Sequence, residues 1–202
     1  YIPAPESADN LFNGTDLTGW QGNAPYWSVV DGAIRGHSDD KVPRNEFIWF
    51  DEPVQDFYLS VLVRLEPDER NSGVQFRSEK ATAHGQARGY QADIGKEVWG
   101  RLYHEHGRGQ LDWTDKGESA VKPNDWNRYE ILAIGPCIWT AINGTLSVAL
   151  YDPEGEREGR IALQIHSGPP LTVQFRPERL VRNPEAALAG LGREELLAAL
   201  HR

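Results

Sequence analysis

Short runs of β-type residues, separated by turn residues, occupy the chain from about residue 25 to residue 181. The clearest turn signal is Asn143-Gly144, between Ile142 and Leu146, because a type I′ hairpin turn needs positive φ at both central positions. A dozen such runs with few helical periods indicate an antiparallel β-sandwich. We predict strands over residues 26–30, 33–35, 47–49, 57–65, 73–77, 89–94, 100–105, 126–134, 137–142, 145–151, 159–166 and 172–180.

Both ends of the chain depart from this pattern. Residues 1–10 resemble the short linker that follows a cleaved signal peptide, so we expect an exported protein, periplasmic or extracellular. Residues 11–182 form the predicted sandwich domain. From Asn183-Pro184 onward, leucines at helical spacing predict one or two short helices with an N1 proline. We expect residues 183–202 to be a helical extension that packs on the domain or joins copies in a homo-oligomer.

The charge and composition exclude several classes of partner. The formal net charge is −9, whereas nucleic acids and anionic membranes bind basic surfaces, so neither is expected. The apolar runs are far shorter than the ~20 residues of a membrane helix. The single cysteine, Cys137, cannot form an internal disulfide and does not identify the compartment. A neutral ligand is compatible with all of these features.

Polar residues alternate with apolar ones in four of the predicted strands. Strand residues two apart lie on one face of a sheet, so each strand presents a polar pair. Amide and guanidinium groups offer planar donors and acceptors that suit vicinal hydroxyls, which favours a carbohydrate ligand. The pairs are Gln75 with Arg77, Gln91 with Asp93, Gln164 with His166, and Gln174 with Arg176. We predict that the first three pairs line one concave sheet face.

A second group of candidate residues lies in the segment 102–107, which reads Leu-Tyr-His-Glu-His-Gly. His104 and His106 share strand parity and could chelate a divalent metal, with His37, Asp112 or His166 as a third ligand. Glu105 has the opposite parity, so it shares a site with the histidines only where the strand ends or bulges. Asp93 and Glu105 could also be the carboxylate pair of a conventional glycosidase. The metal and the carboxylate pair both stay open.

Several stretches match one family pattern in order. LFNGTDLTGW at residues 11–20 resembles that family's opening LFNGKDLxGW motif, and WSVVDGAI at 27–34 resembles its W-x-V-x-D-G hairpin. NSGVQFR at 71–77 is similar to its NSGVxFR strand, and GYQADI at 89–94 to its GYExQI strand. The ordered set covers roughly residues 11–181. On these motifs the chain is similar to the 3-keto-disaccharide hydrolase family.

The resemblance implies a concanavalin-like jelly roll, usually exported, that acts on 3-keto-glycosides. One departure concerns the catalytic carboxylate. Where the family often has Glu and Gln in the GYExQ strand, this chain has Gln91 and Asp93. The carboxylate is therefore exchanged between neighbouring positions that face the same way. The helical extension after residue 183 lies outside the family pattern.

A mechanism follows from the implied substrate. A ketone at C3 makes the C2 proton acidic, and loss of that proton lets the C1 aglycone leave by elimination before water adds. Asp93 or His166 suits the base, and Arg77 with Gln91 or Gln164 suits the enolate oxygen. His104 could protonate the leaving group or hold a metal that polarises the ketone. The expected substrate-binding residues are Gln75, Gln91, Tyr103, Glu105 and Gln164. A non-catalytic carbohydrate-binding module and a conventional glycosidase are the alternatives.

Overall fold

The computed structural model describes residues 11–82 and 85–201, and these form a sandwich of two seven-stranded antiparallel sheets. The first sheet contains, in spatial order, β1 (Trp20–Gln21), β4 (Glu46–Val54), β13 (Gly159–Ile165), β6 (Asn71–Lys80), β7 (Ala87–Gly95), β8 (Leu102–Glu105) and β9 (Gly109–Asp112). The second contains β12 (Thr145–Tyr151), β11 (Cys137–Ile142), β10 (Asn127–Ile134), β5 (Phe57–Glu66), β14 (Leu171–Arg182), β3 (Ala33–Ser38) and β2 (Trp27–Val30). The prediction of an all-β sandwich is confirmed.

The core lies between the two sheets and is built from alternate residues of each strand. In β6, Val74 and Phe76 are fully buried, and Phe76 packs edge-on against Phe57 of the opposite sheet. Tyr90 of β7 stacks on Phe76 with ring centroids 5.3 Å apart. Because side chains alternate across a strand, the residues between these core positions face outward from the first sheet.

The Asn143-Gly144 turn has the predicted backbone. Asn143 has a φ of 48° and Gly144 a φ of 82°, as a type I′ turn requires, and β11 pairs with β12 on either side. The Asn143 amide also donates to Asn127 and to the backbone oxygen of Ala120. Two strands were missed, β1 and β9. Both are short and lie at the edges of the first sheet.

The C-terminal extension contains one short helix, α1 (Arg193–Ala199), among the described residues. Our prediction of a helix that begins at Asn183-Pro184 is wrong, because α1 begins after Gly192, whose backbone N–H donates to the Glu195 carboxylate. The extension packs on the outer side of the second sheet, where Leu188 and Leu196 cover Leu132, Trp139 and Ala149. It is therefore docked on the domain by apolar contacts.

Hydrogen bonds complete this docking. The Trp139 indole N–H donates to the backbone oxygen of Leu196, and His201 exchanges backbone bonds with β12. The predicted linker at residues 1–10 lies outside the described residues. Among the residues that the structure describes, no helix is long and apolar enough to cross a bilayer.

Candidate functional site

The outward side of the first sheet, which we call the polar face, carries most of the predicted site residues. Cross-strand pairing sets Gln75 beside Gln91, and Gln91 beside Tyr103, so these three side chains form one row. Asp93 and Glu105 share parity with Gln91 and Tyr103 and therefore face the same way. Gln164 lies in the neighbouring strand β13, opposite Gly73. His166 follows directly after β13.

A directed chain of hydrogen bonds, the amide relay, runs along the polar face from Ser78 to Asp93. The Ser78 hydroxyl donates to the Gln75 side-chain oxygen at 2.8 Å. The Gln75 amide then donates to the Gln91 side-chain oxygen, and the Gln91 amide donates to the Asp93 carboxylate, each at 2.6 Å. Since each amide accepts at one end and donates at the other, the relay fixes the orientation of the Asp93 carboxylate.

The absence of a side chain at Gly73 makes room for the amide relay. Gly73 pairs with Asp93 in the sheet, and a Cβ atom there would lie 2.6 Å from Cγ of Gln91. Real Cβ atoms do not approach other heavy atoms so closely, so any larger residue at position 73 would displace Gln91. The glycine of the Asn71-Ser72-Gly73 segment thus serves the polar face and not the core.

Two carboxyl groups on the polar face have perturbed acidity. Burial raises the pKa of Asp93 to about 7, and the negative charge of Glu105 contributes, while the Gln91 hydrogen bond opposes the rise. Burial also raises the pKa of Glu105, against the opposing charges of His106 and His166. A carboxyl group that titrates near neutral pH in a pocket is suited to proton transfer.

These groups open into a cavity of about 240 Å³, which we call the Asp93 cavity. Its wall includes two aromatic rings, Tyr103 and Trp113, whose centroids are 5.9 Å apart in an edge-on arrangement. The Arg101 guanidinium lies over the Trp113 ring at 5.5 Å. The lining residues are Asn71, Gln91, Asp93, Val98, Tyr103, Glu105, Trp113 and His166. The cavity therefore combines titratable groups, amides and aromatic rings.

Two polar side chains near this cavity have unused hydrogen-bonding atoms. Both amide atoms of Gln164 are buried and have no partner within residues 11–82 and 85–201, and the same holds for the side-chain oxygen of Asn71. His166 uses Nδ1 to donate to the backbone oxygen of Ser167 at 2.7 Å, which in the neutral ring makes Nε2 the acceptor. Buried unpaired amides are costly and are common where a ligand supplies the partner.

Arg77 does not lie on the polar face, so the position predicted from strand parity is wrong. The pairing of β6 with β7 shifts between Phe76 and Glu79, and Arg77 itself has a φ of 45°, which interrupts the alternation of side chains. The buried guanidinium instead donates four hydrogen bonds, to the backbone oxygens of Gln55, Gly135 and Glu156 and to the Asp56 carboxylate. Arg77 thus joins turns of both sheets.

His104 is also placed away from the cavity. It shares parity with Leu102, so its ring turns toward the interior, packs edge-on against Tyr90 and bonds through Nε2 to the Glu156 carboxylate at 2.8 Å. His106 donates from Nδ1 to the backbone oxygen of Ala87. Over the described residues, no three His, Cys, Asp or Glu side chains are grouped to hold a metal ion. The predicted pairing of His104 with the other site residues is therefore corrected.

The fourth polar pair belongs to a different surface. Gln174 and Arg176 lie in β14 of the second sheet, where Gln174 accepts a hydrogen bond from Arg64 and Arg176 lies over the Trp126 ring. Asn71, Val98 and Trp113 line the Asp93 cavity but were not predicted. Asn71 was quoted only as part of a family motif. Trp113 follows β9, a strand that the sequence pattern did not reveal.

Comparison with known proteins agrees with this architecture. The family model of the 3-keto-α-glucoside 1,2-lyase-like domain matches residues 7–180. The chain belongs to this family. The family suspected from the sequence motifs is therefore confirmed, and its model covers both the amide relay and the Asp93 cavity. A comparison with curated proteins finds no significant match.

Solved structures share the fold of this family member at low sequence identity. A candidate glycosyl hydrolase from Parabacteroides distasonis is 17% identical with a TM-score of 0.64, over 88% of this chain and 94% of that chain. The carbohydrate-binding module CBM66 from Bacillus subtilis is 17% identical with a TM-score of 0.61, over 83% and 98%. SCLam, an endo-β-1,3(4)-glucanase of family GH16, is 8% identical with a TM-score of 0.54, over 91% and 94%. Family and fold together indicate a carbohydrate-active or carbohydrate-binding jelly-roll domain.

Proposed function

We propose that the protein cleaves the glycosidic bond of 3-keto-glycosides, and that Asp93 removes the C2 proton of the keto sugar. The observation that carries the proposal is a buried carboxylate with a pKa of about 7, held by the Gln91 amide at 2.6 Å and open to a cavity. Such a group is half ionised at neutral pH and is oriented before the substrate arrives. Those are the requirements for a general base.

The chemistry proceeds in two balanced steps. Asp93 takes the C2 proton, and the electron pair of that C–H bond forms an enolate whose negative charge rests on the C3 oxygen. The enolate then collapses to a C1–C2 double bond, the C1–O bond breaks, and the departing oxygen takes a proton. Addition of water across the double bond afterwards gives the free 3-keto sugar.

Glu105 is the proposed proton donor to the leaving group. It lines the same cavity as Asp93, and burial raises its pKa, so its protonated form persists to higher pH than that of an exposed glutamate. This assignment replaces His104, whose ring faces the interior. Proton donation by a positioned acid typically contributes 10²–10⁴-fold to a rate.

Gln164 is the proposed donor to the enolate oxygen. Pairing places Gln164 opposite Gly73 and Gly73 opposite Asp93, so the Gln164 amide and the base lie in one row two strands apart. Its amide has no partner among the described residues, whereas the Gln91 amide is already bonded within the relay. Loss of one preorganised donor to an oxyanion typically costs ~10²–10³ in rate.

His166 is the second candidate for the base. It lines the Asp93 cavity, and its Nδ1–H bond to Ser167 makes Nε2 the available acceptor in the neutral ring. The Tyr103 and Trp113 rings supply apolar surface against which sugar C–H groups can pack. These rings would serve substrate binding equally in a non-catalytic module, which therefore differs from the proposed enzyme only in lacking turnover.

A conventional glycosidase is a second candidate function, because Asp93 and Glu105 line one cavity. Such an enzyme needs two carboxyl groups flanking the scissile bond but no ketone. The deciding experiment is to incubate the protein with a 3-keto-glucoside and with its unoxidised parent side by side, with and without a chelator. The proposal expects cleavage of the keto form alone. Equal cleavage of the parent would support the glycosidase, and binding of either sugar without cleavage would support the module.

A further inference from the structure

A second cavity, of about 470 Å³, opens at the edge of the first sheet where β4 meets the β1 side. We call it the Trp49 cavity. Its lining residues are Gln21, Gly22, Asn23, Arg44, Glu46, Phe47, Trp49, Lys80 and Gly85. Trp49 shares the polar face with the catalytic groups, since pairing runs from Trp49 to Ala162, then to Gln75 and Gln91. Three steps between strands separate Trp49 from Gln91, which is about 14 Å.

Cations predominate around this cavity, although the whole chain carries a net charge of −9. The Lys80 ammonium lies 5.9 Å from the centre of the Trp49 ring, and the Arg160 guanidinium lies 5.3 Å from it at the margin of the cavity. In the part of the chain that the structure describes, no carboxylate pairs with either cation. Stacking on a ring holds each cation in place while its N–H groups stay available to an anion.

The one carboxyl group in the wall does not neutralise these cations. Glu46 is 3.9 Å from Arg44, a long and poorly directed ion pair, and the Arg44 side chain is 53% exposed. Burial raises the pKa of Glu46, which disfavours its charged form. The amides of Gln21 and Asn23 add neutral polar groups of the kind that bind sugar hydroxyls.

We propose that the Trp49 cavity binds an anionic saccharide unit that bears a carboxylate, such as a hexuronate. Lys80 and Arg44 bind the carboxylate, and the amides of the wall bind the hydroxyls. A monoanion matches the small excess of positive charge better than a dianionic phosphate does, because Glu46 repels additional negative charge. The ligand is taken to be a saccharide on the strength of the proposed function, in which this unit would be a distal part of the substrate.

The test is a binding titration of the full chain, followed by NMR through the Trp49 indole and the Lys80 amide. The probes are sodium glucuronate, glucose and sodium sulfate at constant ionic strength. We expect glucuronate to shift both resonances with saturation and glucose to shift them at least 10-fold more weakly, because charge-assisted bonds to the cations are lost. The effect should decline as salt is added.

Variants separate the cavity from general surface charge. Lys80→Gln with Arg44→Gln should weaken glucuronate binding at least 10-fold, whereas Arg88→Gln should change it less than 2-fold. Arg88 is a matched control because it is exposed on the strand that pairs with β6 and faces Glu79 instead of the cavity. The resonance spectrum of each variant shows whether the fold is intact.

Three results would overturn the proposal. They are equal affinity for glucose, equal affinity for sulfate, and glucuronate shifts confined to the Asp93 cavity. Since none of the probes is a 3-keto-glycoside, failure of the proposed cleavage activity leaves this titration unaffected. Failure of the titration likewise leaves the assignment of Asp93 untouched.

Discussion

The substitution Gly73→Ala tests the amide relay without altering any group that would touch the substrate. A Cβ atom at Gly73 would lie 2.6, 2.7 and 3.0 Å from Cγ, Cδ and Nε2 of Gln91. Gln91 must therefore move, and its 2.6 Å bonds to Gln75 and Asp93 lengthen or break. The core side of β6 is not touched, because Gly73 faces outward.

The magnitude follows from that displacement. A misplacement of about 1 Å in the support of a catalytic group costs on the order of 10²-fold, so we expect kcat/KM for the 3-keto-glycoside to fall about 10²-fold. Overpacking should lower the free energy of unfolding by about 1–3 kcal/mol. The Gln91 hydrogen bond lowers the pKa of Asp93, so its loss should raise that pKa above about 7. The acidic limb of the pH–rate profile then moves upward, by about one pH unit.

A double-mutant cycle with Gln91→Ala is the decisive assay. An alanine at position 91 has no Cγ, Cδ or Nε2 for the new methyl group to meet, so Gly73→Ala should change the rate of that variant only a few-fold. A 10²-fold loss that persists in the Gln91→Ala background would refute the reasoning. An acidic limb that stays in place in Gly73→Ala would refute it as well.

Three further predictions concern the buried groups and the C-terminal extension. Asp93→Asn should abolish C2 proton removal yet raise the free energy of unfolding at pH 8, because the raised pKa means that the folded state is destabilised as pH rises from about 4 through about 7. That gain is at most about 4 kcal/mol and should vanish near pH 4 in pH-dependent denaturation. Arg77→Ala should lower the free energy of unfolding by about 3–5 kcal/mol in urea titrations while folded molecules keep their kcat, because its bonds join turns and not substrate. Truncation after Arg182 should leave a cooperative thermal transition but cause self-association in sedimentation experiments, since it uncovers Trp139 and Leu132.

Most of the strands follow from local signals in the sequence. The Asn143-Gly144 turn and the alternation in β5, β10 and β11 suffice, because turn chemistry and period-two patterning act over few residues. β9 carries too few residues to show a pattern, and its pairing with β8 depends on the rest of the sheet. The extension failed differently, since Asn183-Pro184 has cap chemistry but the chain there stays extended beside β14.

The candidate site was predictable where strands are regular and not where they bulge. Parity correctly grouped Gln75, Gln91 and Asp93, because β6 and β7 pair without interruption at those positions. It failed for Arg77, which is only two residues beyond Gln75 but lies in the bulge. Trp113 could not be predicted either, because the strand that positions it was not visible.

The central claim is that cleavage begins with removal of the C2 proton. It is tested most directly by running the reaction in D₂O and measuring deuterium at C2 of the released 3-keto sugar by mass spectrometry. Free 3-keto sugar incubated without the protein controls for spontaneous exchange. Elimination followed by addition of water predicts one deuterium at C2 in every product molecule, and Asp93→Asn should suppress both product and label. Product released at the wild-type rate with hydrogen retained at C2 would contradict the account.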